Sequence, residues 1–389
     1  MNAPARKMPT ASVNTDNVPL FAFRSRNGTL MARGERKSVP RGNVSSLAER
    51  ISTALRGAGT DTIIAGALPF DRTAQDYLWQ TSDVTRTPLA TSRHWRDSHW
   101  QLRPEPDAKG YAGAVRRALD IMARESGQAD ALVKIVLSRS LVATSDHAID
   151  LNALLARLSV DPAVMAFLVP LPSRNGHPRT LAGATPELLF SKTGTRIASH
   201  PLAGSAKRRP DLAEDAAAAA DLGRSVKDRD EHNIVVEFIL DTLAPYCRNL
   251  TRPEGTALVS TRSMWHLGTR IEGELKDADI PAIILAAALH PTPAVCGLPR
   301  ERAAGLIRDL EPHDRDFYAG TVGWCDGRGN GSWYVTIRCA EISQNQARLY
   351  AGAGIVPQSD PASEAAETGA KFGALLAALG ISAFKEERV

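Results

Sequence analysis

The segment TVGWCDGRGNGSWYVTIRCAEI, from Thr321 to Ile342, constrains the fold of this chain more than any other. Two stretches rich in β-branched and aromatic residues flank the glycines of GRGNG, the pattern of an antiparallel hairpin closed by a turn. A glycine loop that cradled phosphate would run straight into a helix, and no helix is signalled after Gly331, so a nucleotide site here is disfavoured. Elsewhere strand and helix patterns mix without the strict strand–helix–strand rhythm of a doubly wound parallel sheet. An α+β fold is therefore expected.

Periodicity places the other elements. Helices are expected near Ser45–Arg56, at Tyr111–Glu125, Leu151–Leu158, Asp211–Leu222 and Ser225–Leu243, and in AIILAAALH and ERAAGLIRDL. Strands are expected at Thr62–Leu68, Ala131–Leu137 and Arg196–His200 and near Val164–Val169. The first twenty residues, rich in Pro, Ser, Thr and Asn, read as loose, and TSDVTRTPLATSRHWRDSHW reads as loop. No fixed-period repeat or low-complexity linker divides the rest, so 21–389 is expected to form one domain.

Composition excludes several classes. The 389 residues carry 47 Lys plus Arg against 43 Asp plus Glu, a formal charge of +4, with no basic block interleaved with aromatics. Nucleic-acid binding is not indicated. No apolar run approaches the roughly eighteen residues that a membrane span needs, and the polar start MNAPARKMPTASVNTDNVPL has no signal-peptide core, so a cytoplasmic protein is expected. Cys247, Cys296, Cys325 and Cys339 form neither a C-x-x-C pair nor a zinc spacing and read as buried free thiols in a reducing compartment.

The end of the chain reads as one capped helix. Asp360 suits the N-cap, Pro361 the first helical position, and Gly380 the stop. On that helix Glu364, Glu367 and Lys371 share a face, and Asp228 and Glu231 repeat the i, i+3 spacing on a second helix. One such pair is an ordinary solvated face; two could close around a hard dication such as Mg²⁺, which takes oxygen ligands and keeps sites for water. Lys134 interrupts the apolar strand ALVKIVL, where desolvation would tune it toward a general base. Glu187, in GATPELLF at a helix start or turn, would become a proton donor in an apolar pocket. Gly204 and Ser205 in HPLAGSAKRR offer an anion-binding turn, while the following basic run reads as a solvated loop. His266 lies in a strand-like stretch, and Arg338 inside a strand implies a carboxylate partner in protein or ligand.

Taken together and in order, KIVLSR, GATPELL, SHPLAGSAKRR, KDRDEH, WHLGTRIEG, LHPTPAVCGLPR, EPHDRDFYAGTVGWCD, GNGSWYVTIRCAEI and LYAGAGIVPQSDPASEAAETGAK resemble the chorismate-utilising enzymes, and within them the siderophore-type isochorismate synthases. The resemblance is strongest over 131–380. It implies two large packed antiparallel β-sheets surrounded by helices, with Lys134 as base and Glu187 as acid. It further implies Glu231 and Glu367 as Mg²⁺ ligands, Asp228 and Glu364 behind them, and Gly204 and Ser205 under the ring carboxylate of chorismate. Arg338, Gly352 and Lys371 would grip the enolpyruvyl carboxylate, and His266, Thr292, Ala294 and Tyr318 would line the ring. Aminating relatives lack the lysine and work with an amidotransferase, so no such subunit is expected and a monomer is the default. Ser205 and HPTPAVCG favour isochorismate synthase, whereas Tyr318 is more usual in the salicylate synthases that go on to release pyruvate. Isochorismate for menaquinone would need the same reaction.

Overall fold

The computed structural model describes residues 21–26, 28–32, 35–86 and 95–382; the expected loose segment 1–20 and part of the expected loop at 81–100 lie outside the described residues. Two large sheets dominate, and every strand pair among the described residues is antiparallel. The ten-stranded sheet centres on Lys134–Ser145, Gln346–Ile355, Cys339–Ser343, His177–Thr185 and Met165–Arg174. The nine-stranded sheet centres on Arg196–His200, Leu188–Thr193, Gly331–Val335, Thr321–Asp326 and Ile63–Leu68. A small third sheet of Leu202–Lys207, Met264–Thr269 and Thr256–Ser260 was not signalled by the pattern.

Eight α-helices are described: α1 Leu47–Leu55, α2 Ala108–Glu125, α3 Leu151–Leu158, α4 Leu212–Arg224, α5 Val226–Leu243, α6 Ala282–Leu289, α7 Arg300–Leu310 and α8 Pro361–Ala378. Their starts follow capping chemistry. The Ser225 hydroxyl accepts from the Asp228 N–H at the start of α5, and the Asp360 carboxylate accepts from the Ser363 N–H at the start of α8. A larger core joins both big sheets to α2, α5 and α6, and a smaller one packs Phe372, Leu375 and Leu376 of α8 and Leu154 and Leu155 of α3 against Leu141, Ala143, Ala166 and Leu168. Burying such side chains contributes about 1.5–3 kcal/mol each. No helix among the described residues is long and apolar enough to cross a membrane, and all four cysteines are buried free thiols.

Three sequence expectations need correction. The strand expected at Ala131–Leu137 runs from Lys134 to Ser145, and ten of its twelve residues from Lys134 onward are buried in an unbroken run, which hides the alternation that marks a half-exposed strand. Of the two readings of Glu187, helix start or turn, the helix start is excluded: it lies in the two-residue joint between the strands His177–Thr185 and Leu188–Thr193. Arg338 lies in no strand: the chain leaves the hairpin at Val335 and enters Cys339–Ser343 of the other sheet, with Arg338 between them in the left-handed region at φ 51°. Both residues therefore mark places where the chain crosses from one large sheet to the other. The crossings are tied together, since the Val335 N–H donates to Glu187 O and the Ala184 N–H to Arg338 O, each at 3.1 Å.

Candidate active site

A cleft of about 810 Å³, part of it open to solvent, lies where these crossings meet the N-terminal halves of α5 and α8. Its walls include Glu187 and Arg338 from the crossings, Asp228 and Glu231 from α5, and Glu364, Glu367 and Lys371 from α8. Gly204, Ser205 and His266 of the small sheet, Ala294, Tyr318 and Gly352 complete the expected set on the wall. Two expected residues stand just behind it. Lys134 is fully buried and reaches the cleft through Glu231, and Thr292 is buried in the loop whose turn it holds by accepting the Ala294 N–H at 3.3 Å.

Three of the four α5 and α8 carboxylates on the wall are each paired with a lysine. Lys134 Nζ lies 2.9 Å from Glu231 Oε1, Lys227 Nζ 2.7 Å from Glu364 Oε1, and Lys371 Nζ 2.5 Å from Glu367 Oε1. The Lys134 contact lacks hydrogen-bond geometry, so this buried Nζ has no hydrogen-bond partner among the described residues. Glycine makes this contact possible: a Cβ at Gly354 would stand 2.1 Å from Glu231 Oε1. At Gly204 a positive φ of 71° and an Asp228 carboxylate oxygen 3.0 Å from any added Cβ leave room for glycine alone. Gly204 forms a bulge in its strand, where the pairing with Met264–Thr269 shifts register, rather than the expected turn.

The electrostatics separate the acids. Burial pushes the Glu187 carboxyl up to about 8, against the opposing pull of Lys134, a backbone N–H of Leu202 and Arg338. It is therefore protonated at neutral pH. Burial also acts on Glu367, but Lys371 and the Ser205 hydroxyl, which donates at 2.8 Å, outweigh it and hold that carboxyl below the usual range. Asp228 and Glu364 are raised, first by burial and then by neighbouring carboxylates, Glu231 for the former and Glu367 for both. Burial drives His266 down to about 3, so its ring is neutral; Nδ1 lies 3.3 Å from Gly204 O, and Nε2 has no protein partner among the described residues. Arg338 is lowered by burial and has no carboxylate within ion-pair distance among the described residues, which leaves its guanidinium for a ligand. Within the basic run Lys207 and Arg209 are exposed, as expected, whereas Arg208 pairs with Asp215 at 2.8 Å and stacks on Trp265.

Four mutually repelling carboxylates in one cleft form a hard-oxygen donor set whose charge suits a dication. They are not a finished cage, since among the described residues no three Asp, Glu, His or Cys side chains converge as a ligand group. A metal with part of its shell supplied by water and substrate fits such a site. Two charged or aromatic wall residues escaped the sequence reading. Lys227 was legible as a lysine four positions before Glu231 on the same helix face, and Tyr350, stacked on Tyr318 with centroids 4.7 Å apart and planes within 9°, sits two residues before Gly352. Neither had a local signal beyond that spacing.

A buried neutral acid, a buried lysine and an arginine with no carboxylate at ion-pair distance among the described residues, all around one polar cleft, suit proton transfer on a small anionic substrate. Residues 58–380 match the family described as chorismate binding enzyme. The isochorismate synthase DhbC of Bacillus subtilis is 40% identical over 377 residues, spanning 93% of this chain and 94% of its own. The vibriobactin-specific isochorismate synthase of Vibrio cholerae is 39% identical over 370 residues, covering 93% and 91%. A crystal structure assigned as a 2,3-dihydroxybenzoate-specific isochorismate synthase, DhbC from Bacillus anthracis, superposes with a TM-score of 0.87 at 39% identity, over 95% of this chain and 98% of that one. The chain belongs to the chorismate binding enzyme family.

Proposed function

We propose that this chain is an isochorismate synthase, converting chorismate to isochorismate by moving a ring hydroxyl. The observation that carries the reading is the division of labour between two buried groups beside one cleft: Lys134, whose Nζ has no hydrogen-bond partner among the described residues, and Glu187, held neutral to about 8. Lys134, as base, takes a proton from a water whose oxygen bonds to the ring carbon beside the carboxylate-bearing one. The ring double bonds shift, and Glu187 gives its proton to the departing hydroxyl, which leaves as water. One water enters and one leaves, so the reaction is an isomerisation.

The remaining residues bind and orient. Glu231 and Glu367 would hold Mg²⁺, with Asp228 and Glu364 orienting its water. When bound, that ion supplies a positive charge for the ring carboxylate, above the Gly204–Ser205 bulge. Arg338, Lys371 and the Gly352 backbone would take the enolpyruvyl carboxylate; Lys371 Nζ already donates to Gly352 O at 2.8 Å. His266, neutral, and Ala294 and Tyr318 would pack on the ring, with Thr292 shaping the loop behind them. Because Lys134 serves water rather than ammonia, the chain would act without an amidotransferase, as one catalytic domain over 21–389, in the cytoplasm. The names of its relatives support supply of a siderophore pathway.

Incubation of the purified protein with chorismate and Mg²⁺, followed by mass spectrometry and a pyruvate assay, tests the reading. An isomer of unchanged mass without pyruvate is expected. Salicylate with stoichiometric pyruvate would instead establish a salicylate synthase, the reading that Tyr318 favours.

A further inference from the structure

The strand that carries Lys134 has an incomplete edge. One side of Lys134–Ser145 pairs with Gln346–Ile355 from Ile135 to Thr144. The other side pairs with Gly297–Leu298 at Lys134 and Ile135, and with Trp100–Glu105 only from Ser140 onward. Across the gap the backbone needs other partners, since an unpaired buried N–H or C=O costs about 1–3 kcal/mol.

Two side chains from the segment after α7 supply them. Glu311 Oε1 accepts from the Ser138 N–H at 2.6 Å and from the Ser138 hydroxyl at 2.9 Å. Arg315 donates through Nη2 to Val136 O at 2.6 Å and through Nη1 to Val295 O at 2.7 Å. Its Nε and Nη2 meet the two Glu311 oxygens at 2.8 and 2.5 Å, so the pair is bidentate and both members are buried. Val136 and Val295 both line the cleft, and Tyr318, also on its wall, donates its N–H to Arg315 O at 2.7 Å. The guanidinium thus ties two parts of the wall together, and the Arg315 backbone holds a third.

We propose that the Glu311–Arg315 pair is a positioning unit for the reaction: it stands in for a missing strand and sets Lys134, two residues from Val136, against the Ala294–Val295 wall and Tyr318. The unit touches neither substrate nor metal, and the inference rests on the proposed isochorismate synthase activity. A planar fork is required, because a lysine ammonium cannot span Glu311, Val136 O and Val295 O together.

Arg315→Lys is the test, with kcat, KM for chorismate and thermal midpoint measured together. Asp76→Asn, which disrupts the Arg50–Asp76 pair, neither member of which lines the cleft, is the control for lost stability alone. Since misplacement by about 1 Å can cost about 100-fold, Arg315→Lys is expected to lower kcat at least about tenfold with KM within about threefold. The control should lower the midpoint and leave kcat of the folded enzyme unchanged. Turnover of Arg315→Lys within about twofold of wild type, or a fall in kcat that Asp76→Asn reproduces, overturns the proposal. Should Arg315→Lys not fold, Ser138→Ala decides, because it removes a single hydroxyl, which donates to Glu311 at 2.9 Å and also meets His313 Nε2 at 3.2 Å: a kcat about two- to fivefold lower supports the unit, and an unchanged kcat overturns it. A wild-type enzyme inert toward chorismate would instead remove the assigned function, and the positioning role with it.

Discussion

Replacing Glu187 with Gln isolates the most consequential electrostatic feature of the cleft, since the amide keeps the shape and cannot titrate. The folded carboxyl sits at about 8 against an ordinary value of 4.5, chiefly because burial penalises its charge. A folded value above the unfolded one means that the neutral side chain favours folding fully below about pH 4.5, and that this contribution is lost as pH rises through 8. The separation is about 3.5 units at about 1.4 kcal/mol each, so the ceiling is about 5 kcal/mol. Denaturant unfolding of wild type and Glu187→Gln at pH 5, 7 and 9 should show the variant gaining steadily on the wild type as pH rises. Turnover should respond on the same scale: wild-type kcat falls above pH 8 as the acid loses its proton, and the variant loses about 10²–10⁴ in kcat at neutral pH. A stability difference that is the same at pH 5 and 9, together with flat wild-type turnover to pH 9.5, would refute the neutral-acid assignment.

Three further substitutions probe the remaining parts. Lys134→Ala should abolish water addition while leaving Mg²⁺-dependent chorismate binding largely intact by calorimetry; near-normal turnover would remove it as the base. Glu367→Gln should raise the Mg²⁺ concentration for half-maximal activity by about 10–100-fold, and an unchanged titration would sink the ligand assignment. Gly354→Ala places a methyl where Glu231 Oε1 now lies 2.1 Å away, so Glu231 must leave Lys134. Its kcat should fall by about tenfold or more with the fold retained by circular dichroism, and wild-type turnover would show that the ion pair is dispensable.

Much of this architecture was legible because local chemistry fixes helix ends. Asp360, Pro361 and Gly380 bracket α8 correctly, and Ser225 caps α5, so both acidic faces were placed before any tertiary contact was known. The hairpin at Thr321–Val335 was equally plain, its strands joined by Gly327–Asn330. What failed was information that exists only in three dimensions. Lys134 sits on a strand buried on both sides, so the alternation that defines a strand edge disappears and its length was underestimated. Glu187 and Arg338 sit where the chain changes sheets, and a crossing has no sequence period: a Thr-Pro-Glu joint resembles a helix start, and an arginine after Tyr-Val-Thr-Ile resembles more strand.

Those two misplacements share a cause that bears on catalysis. A strand residue is held by the ladder and faces one side of a sheet, whereas a crossing residue stands at the seam between sheets, with its backbone bonded to the opposite crossing at 3.1 Å. The seam gives Glu187 the burial that keeps it protonated and leaves Arg338 without a carboxylate partner among the described residues. An acid set in a regular half-exposed strand would face water and ionise below neutral pH; an arginine there would find a cross-strand carboxylate. The positions that local pattern reads least well are thus the ones where the fold can hold, on one cleft, an uncharged acid and a cation with no carboxylate partner among the described residues, the two states that the proposed hydroxyl transfer would use.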